Sequence, residues 1–365
     1  MSNPIHLIMR SRLLAAILVF AVLASPRISD AQSYPPAWSA SGHYAVGDLV
    51  QTGGNVYRAI KAVTGGENPT TSYTYWQLNQ VLSNTTLLIG TSQTFPDMLT
   101  AWTYALNCRV ADGVYLHFFI SSAHGTLFDQ LTAPLLLDHA SGARMAILSD
   151  SQDNTFLFVN CSGIIVDTGH SFNTISGVTM EYSSGTTNQA VGIKADYDAS
   201  ISSVTNTKID FFGTCVLAEQ SGTITLSNTV NLSNFFYYGC NANSLGSIVC
   251  PQGLVLTGPA NSGSTIGLYT STEGAILADG STITGCGTGV EAGYDGFIDF
   301  ENSSVSGAIK ACLVTDRGFV DCFSSNFTGN LQDLTANNGG FIDASNATFN
   351  SETSGGASDG SYIIT

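Results

Sequence analysis

From Leu82 to the C-terminus, short runs of β-branched and aromatic residues alternate with Gly, Asn and Ser, a texture that predicts many short strands and almost no helix. The pattern sharpens into an ungapped repeat of four 22-residue blocks beginning at Gly267, Gly289, Ala311 and Asp333. The eighth place holds Gly274, Gly296, Gly318 and Gly340, and the tenth holds Ile276, Ile298, Val320 and Ile342. The seventeenth holds Ile283, Val305, Phe327 and Phe349, and the second holds Leu268, Val290, Cys312 and Leu334. A period of 22 without helical spacing predicts one solenoid coil per block. The expected fold class is therefore all-β: a right-handed parallel β-helix over 82–365, with apolar side chains stacked inward and Gly and Asn accepting positive φ at the turns. Looser coils start at Gly192 and Cys215, and a weaker match starts at Gly163.

One stretch breaks the β texture. Pro96, Met98, Leu99, Trp102 and Leu106 fall at helical spacing, which predicts a helix near 95–107. Placed before the first coil, it has the physical job of covering an otherwise open edge. At the other end, the fourth block stops at Ser354 and only half a coil follows, so the reading expects either more chain or a covering subunit, with association through Ile363.

If the tenth place points inward, the ninth and eleventh point outward. The outer face would then carry Phe297, Phe319 and Phe341 beside Asp299, Asp321 and Asp343. Three readings stay open for this surface: a polysaccharide groove, an oligomer interface, or a chain bent by Gly so that the Phe rings turn inward. The three Asp residues are the weak catalytic candidates, since carboxyl pairs about 5–9.5 Å apart serve glycosidases. Asp167 and His170 form a second candidate acid–base pair on a strand-turn.

The N-terminus changes the setting. Arg10 and Arg12 precede an apolar run from Leu13 to Ala24, and Ser29 and Ala31 fit a cleavage site, so residues 1–31 read as a signal peptide and the protein as secreted and extracellular. Twelve apolar residues are too few to cross a bilayer, which takes about 20. Removing Arg10, Arg12, Arg27 and Asp30 takes the net charge from −16 to −16 − 3 + 1 = −18. That charge argues against nucleic acid and, after signal cleavage, against a membrane surface as partner. The 44% apolar content argues for a packed core despite the Gly-rich composition. Eight Cys residues suit an oxidising compartment, with Cys240/Cys250 and Cys312/Cys322 the pairs to test, against buried thiols as the alternative. No zinc spacing occurs, and neither a metal nor a cofactor is expected.

Residues 35–80 are aromatic-rich and carry an ordered frame: Ala37-Trp38, Tyr44, Gly47-Asp48-Leu49-Val50, Gly54-Asn55-Val56-Tyr57-Arg58-Ala59, Pro69 and Trp76. This frame resembles the chitin-binding type 3 (family 5/12) carbohydrate-binding modules. The resemblance implies a small twisted antiparallel β-domain that binds chitin-like or related polysaccharide through exposed aromatics. Chitinase-borne members place an aromatic pair where this chain has Ile60-Lys61-Ala62-Val63, so the candidate platform here is Tyr73, Tyr75 and Trp76, with Trp38. Each has a structural alternative as core of a small domain. Residues 82–365 resemble, in architecture, the β-helical parts of phage tailspike and tail-fibre proteins and of pectinase-like proteins, with Ala101–Leu116 similar to the opening segment of the phage proteins. The combined expectation is a secreted polysaccharide-binding protein whose β-helix is a rigid spacer or second binding surface. The alternatives are a glycoside hydrolase acting on O-glycosyl bonds of a polysaccharide, or an adhesin or tail-fibre-like stalk. A homo-oligomer is a candidate assembly.

Overall fold

A computed structural model describes residues 35–123, 125–183, 189–259, 263–350 and 356–365. The expected signal peptide, residues 1–31, lies outside them. The described chain is all-β apart from one short helix and one 3-10 turn, and it winds into a parallel β-solenoid of about nine turns. A turn averages roughly 24 residues. The last four blocks do keep 22, as in the pairing of Ile276 with Ile298 and of Ile298 with Val320. Earlier coils are longer: Ile175 pairs with Val204, and Cys240 with Leu268.

Three parallel sheets of 12, 10 and 9 strands form the walls among the described residues. In the C-terminal coils most strands are three to five residues long with the middle side chain buried; Phe349, expected inside by the repeat, stacks on Phe327 at 5.6 Å but is exposed on its other side. Ile276, Ile298, Val320 and Ile342 are fully buried in one column, and Ile283, Val305 and Phe327 in another. The strand triplets around the first column have half-exposed, buried, half-exposed side chains, so Phe297, Phe319 and Phe341 stand on the outer face and the inward alternative does not hold.

The corners explain the eighth-place glycine differently from the sequence expectation. The positive φ falls on the two residues before it: Thr272-Glu273, Tyr294-Asp295, Asp316-Arg317 and Asn338-Gly339 all lie in the left-handed region. The glycine itself is needed for closeness. A Cβ on Gly274 would sit 2.1 Å from the carbonyl oxygen of Ala242 in the coil below, and one on Gly318 would sit 2.4 Å from that of Ala292.

At the N-terminal end lies a small sheet. Strands β1 (Leu49–Thr52), β2 (Asn55–Ala59) and β3 (Trp76–Val81) run antiparallel, the first two joined by Gly53-Gly54 with both φ positive. The solenoid begins with β4 (Thr85–Ile89), followed by helix α1 (Met98–Ala105) and β5 (Arg109–Val110). Strand β5 pairs with β3, so the small sheet takes its fourth strand from beyond the helix. Residues 37–365 form one compact unit, and the buried residues of the small sheet belong to the same hydrophobic cluster as those of the solenoid.

Helix α1 is shorter than the expected 95–107. Its buried side is Met98, Ala101, Trp102, Tyr104 and Ala105, whereas Leu99 and Leu106, both placed on the apolar stripe by spacing, are exposed. Asp97 caps its N-terminus by accepting from the Thr100 N–H at 2.6 Å. Trp102 packs against Phe118, His139 and Phe172, with ring centroids 5.5, 6.0 and 6.5 Å away. The helix is fixed from the next coil at both ends. Asp129, on β6 (Phe128–Leu131), accepts from the Met98 N–H at 3.0 Å, and His139, whose Nδ1 accepts from the Ser141 N–H at 2.9 Å, lies beside the far end of the helix near Ala105 and Cys108.

All eight cysteines are free thiols. Seven are buried, and burial pushes the Cys250 and Cys286 thiols up to about 12. The ten-residue spacing does bring Cys312 and Cys322 near one another, both buried inside the solenoid as thiols.

Candidate functional site

Two places gather the residues singled out by sequence. The first is a cleft of about 520 Å³ where the small sheet meets α1. Ile60, Tyr73 and Gln77 line it from the small sheet and its loops, and Leu99, Thr100, Thr103 and Tyr104 from the helix. The cleft exists because β3 is held against the helix: the Tyr104 hydroxyl donates to the Pro69 carbonyl at 2.9 Å, and its ring lies 6.5 Å from that of Tyr57. Burial keeps the Tyr104 phenol protonated far above the ordinary range. Tyr73 leans on Phe95 at 5.2 Å and remains half-exposed. The surface is apolar with a few polar groups, the composition common to ligand clefts.

The four aromatic candidates do not form one platform. Trp76 is fully buried; its indole N–H donates to the Glu67 carbonyl at 2.8 Å, and Tyr44 meets it edge-on at 5.3 Å. It closes the floor of the cleft and offers no face to a sugar, because a sheet this small needs its one central Trp for core. Trp38 is half-buried against that core, away from the cleft. Tyr75 is half-exposed outside the cleft, with the Lys61 ammonium 5.8 Å from its ring centre. Only Tyr73 is both accessible and part of the cavity. Spacing gave no hint of Gln77 or Thr103 and assigned Leu99 to the buried stripe of the helix; the available signal was the absence of an aromatic pair at Ile60-Lys61, which leaves Ile60 to line the cleft.

The second place is the outer face of the last coils. The Phe297, Phe319 and Phe341 rings follow one another at 5.4 and 5.1 Å, and Tyr362 pairs in register with Phe341. Asp299, Asp321 and Asp343 stand in the neighbouring column, in register from coil to coil. Each works locally. Asp299 Oδ1 accepts from the Glu301 N–H, Asp321 Oδ1 from the Phe323 N–H and Asp343 Oδ1 from the Ser345 N–H, the last two at 3.2 and 3.0 Å. This is the Asx turn, two residues on, that shapes the corner after each strand. A repeated Asp is thereby explained without catalysis. Burial, and then the charges of Asp321 and Asp279, push the Asp299 carboxyl up despite its backbone bond. Among the described residues no group of three or more His, Cys, Asp or Glu could hold a metal ion.

Asp167 and His170 do not form an acid–base pair. His170 Nδ1 contacts the Asp167 backbone carbonyl at 2.8 Å, while the carboxylate accepts from the Thr168 N–H at 2.6 Å; Thr168 and Gly169 make a left-handed turn between them.

The fold and these two surfaces define the class as a parallel β-solenoid with a small N-terminal sheet. No protein-family model, curated protein or solved structure matches the chain.

Proposed function

We propose that this is a secreted polysaccharide-binding protein whose cleft beside the N-terminal sheet takes a neutral sugar chain. The observation that carries the reading is the cleft itself. One half-exposed tyrosine, Tyr73, stands across from Leu99, with the Gln77 amide and the Thr100 and Thr103 hydroxyls in reach of the same space. A pyranose has an apolar C–H face and a rim of hydroxyls, and it needs this combination of an aromatic wall and a few fixed polar groups. The frame from Trp38 to Trp76, similar to the chitin-binding type 3 modules, adds support and makes chitin the first ligand to test.

Because Tyr104 and β5 complete the small sheet, the experiment uses the whole chain rather than residues 35–80 alone. Retention on insoluble chitin, cellulose, xylan and pectin is measured for the wild type and for Tyr73→Ala, with melting curves to confirm folding. The expected result is retention on at least one polymer, weakened about three- to tenfold by the substitution, in line with an aromatic contact of ~0.5–1.5 kcal/mol. Retention on none of them, or equal retention of a folded Tyr73→Ala chain, defeats the assignment.

A further inference from the structure

Four of the eight cysteines occupy one matched pair of places in the repeat, twice over. Cys312 stands at the second place of its block and Cys322 at the twelfth. Cys240 pairs in register with Leu268, and Ile248 with Ile276, so Cys240 and Cys250 hold the same two places in an earlier coil. All four side chains point inward and are at most 1% exposed. Each pair straddles a tight corner. The Gly246 N–H donates to the Asn243 carbonyl at 2.8 Å in one coil, and the Gly318 N–H to the Thr315 carbonyl at 2.9 Å in the other. The cysteines stand five residues before and five after the corner residue, Leu245 or Arg317, both with positive φ. Contact with Cys322, and then burial, push the Cys312 thiol well above the ordinary range; burial, and then Cys250 and Cys215, do the same to Cys240.

The other coils fill the two places with more bulk. Val216 stands with Leu226, Leu268 with Ala278, Val290 with Phe300 and Leu334 with Ala344. From Val216 onward, cysteine takes one place only where it also takes the other. A cysteine kept as a small apolar residue calls for a larger neighbour, as Ala278 has in Leu268, because a close-packed interior tolerates few voids. Two cysteines together fill the least. A covalent link supplies what their packing lacks. We propose that Cys240–Cys250 and Cys312–Cys322 are two disulfide sites, each a staple across one coil, formed as that coil closes in an oxidising compartment. The structure holds both pairs in the thiol state that precedes the step. The oxidant is itself a disulfide, either oxidised glutathione or a protein of the dithiol–disulfide exchange class. The Cys312 thiolate attacks one of its sulfurs, giving a mixed disulfide and releasing one thiol. The Cys322 thiolate then attacks Cys312 Sγ, which closes the bridge and releases the second thiol. Two protons and two electrons pass from the pair to the oxidant. Exchange precedes burial, since inside the closed tube the thiols stay protonated and out of the oxidant's reach. Cys108, Cys161, Cys215 and Cys286 stand at neither place and remain thiols. The assignment concerns the core and involves no ligand, so it stands or falls apart from the cleft.

The test maps the cysteines of the full chain made in two ways: exported behind a leader of known function, and refolded from the reduced state in a glutathione redox buffer. Each sample is denatured, blocked with iodoacetamide and digested without reductant. Mass spectrometry is expected to find the Cys240–Cys250 and Cys312–Cys322 peptides, each two hydrogens lighter than its dithiol form, with the other four cysteines alkylated. Cys312→Ala should leave Cys322 alkylated and the Cys240–Cys250 bridge intact. The bridged wild type should melt about 3 °C or more above the same chain after reduction. Alkylation of all eight cysteines in the exported chain, a bridge from Cys215 to Cys240, or identical melting before and after reduction would each overturn the proposal. The wild-type map decides the matter even where a variant does not fold.

Discussion

The two ends of the solenoid are built on different principles. In the last four coils the interior repeats at a fixed period, with one column of Ile276, Ile298, Val320 and Ile342 and another whose sizes vary, Ala278, Phe300, Cys322 and Ala344, so each coil supports the next in the same register. Toward the N-terminus the interior is filled by large rings of unequal placement, Phe118, Phe156, Phe158, Phe172 and Phe212, and it is stoppered by Trp102. Stability at the C-terminal end is repetitive and local; at the N-terminal end it depends on a few residues that have no counterpart elsewhere.

The sharpest way to break this comparison is to damage each end once. Ile298→Asp buries an unpaired carboxylate, which costs several kcal/mol, and Trp102→Ala removes a large buried ring at about 3–5 kcal/mol. Amide hydrogen exchange should then report loss of protection around 266–343 for the first and around 85–176 for the second, each sparing the other end. Exchange that rises over the whole chain in both variants would mean one cooperative unit and no division.

A smaller effect is expected at the corners. Gly274→Ala pushes a methyl into the Ala242 carbonyl and should cost about 1–3 kcal/mol by overpacking. Gly280→Ala has open space at its Cβ but a φ of +73°, so it should cost only about 1 kcal/mol. Thermal melts that rank the two in the opposite order would show that turn conformation outweighs the close approach between coils.

The mildest effect concerns pH and is expected at His139, at the N-terminal end. Burial lowers the His139 pKa, although the nearby backbone at Ala105 and Cys108 and the charge of Asp138 pull the other way. The unfolded chain therefore takes up this proton first. Stability is present above the unfolded value of about 6.5 and is lost as the pH falls through the folded pKa. Buried Asp129 acts in the opposite sense, since desolvation raises its pKa and its protonation favours the folded form at lower pH. Melting curves between pH 7 and 5 should fall for the wild type and flatten for His139→Gln.

The same division decides how much was legible in the sequence. The four regular coils were readable in register, because the period is fixed and the same places are apolar in every block, and the observed pairing matches it. The earlier coils were blurred: an inward column running Phe118, Ile147, Ile175, Val204 mixes sizes, and variable corners shift the period. The eighth-place glycines were found for the wrong reason, since a preceding-coil carbonyl cannot be seen in one coil's sequence. The Asp column was visible, but its turn role lay in a bond to a backbone N–H, which composition does not reveal. At the cleft, Tyr73 is half-exposed and lines the cavity. Trp76 could not be told from a sugar platform, because burial depends on Tyr44 and Glu67, which come to it through folding.

The strapping of α1 bears on how the molecule comes into being. The helix has ties on both sides in sequence: Pro69 and Tyr57 for Tyr104 upstream, and Asp129 for the Met98 N–H with Phe118, His139 and Phe172 for the Trp102 ring downstream. A chain emerging from the ribosome with its N-terminus leading offers the helix with the small sheet before the downstream group has been made. From Trp102 to Phe172 is 172 − 102 = 70 residues of synthesis before the last ring contact of the indole exists. The stopper is thus synthesised ahead of the coils it closes and completed only after the first of them, which begin their stacking with the end of the tube still open.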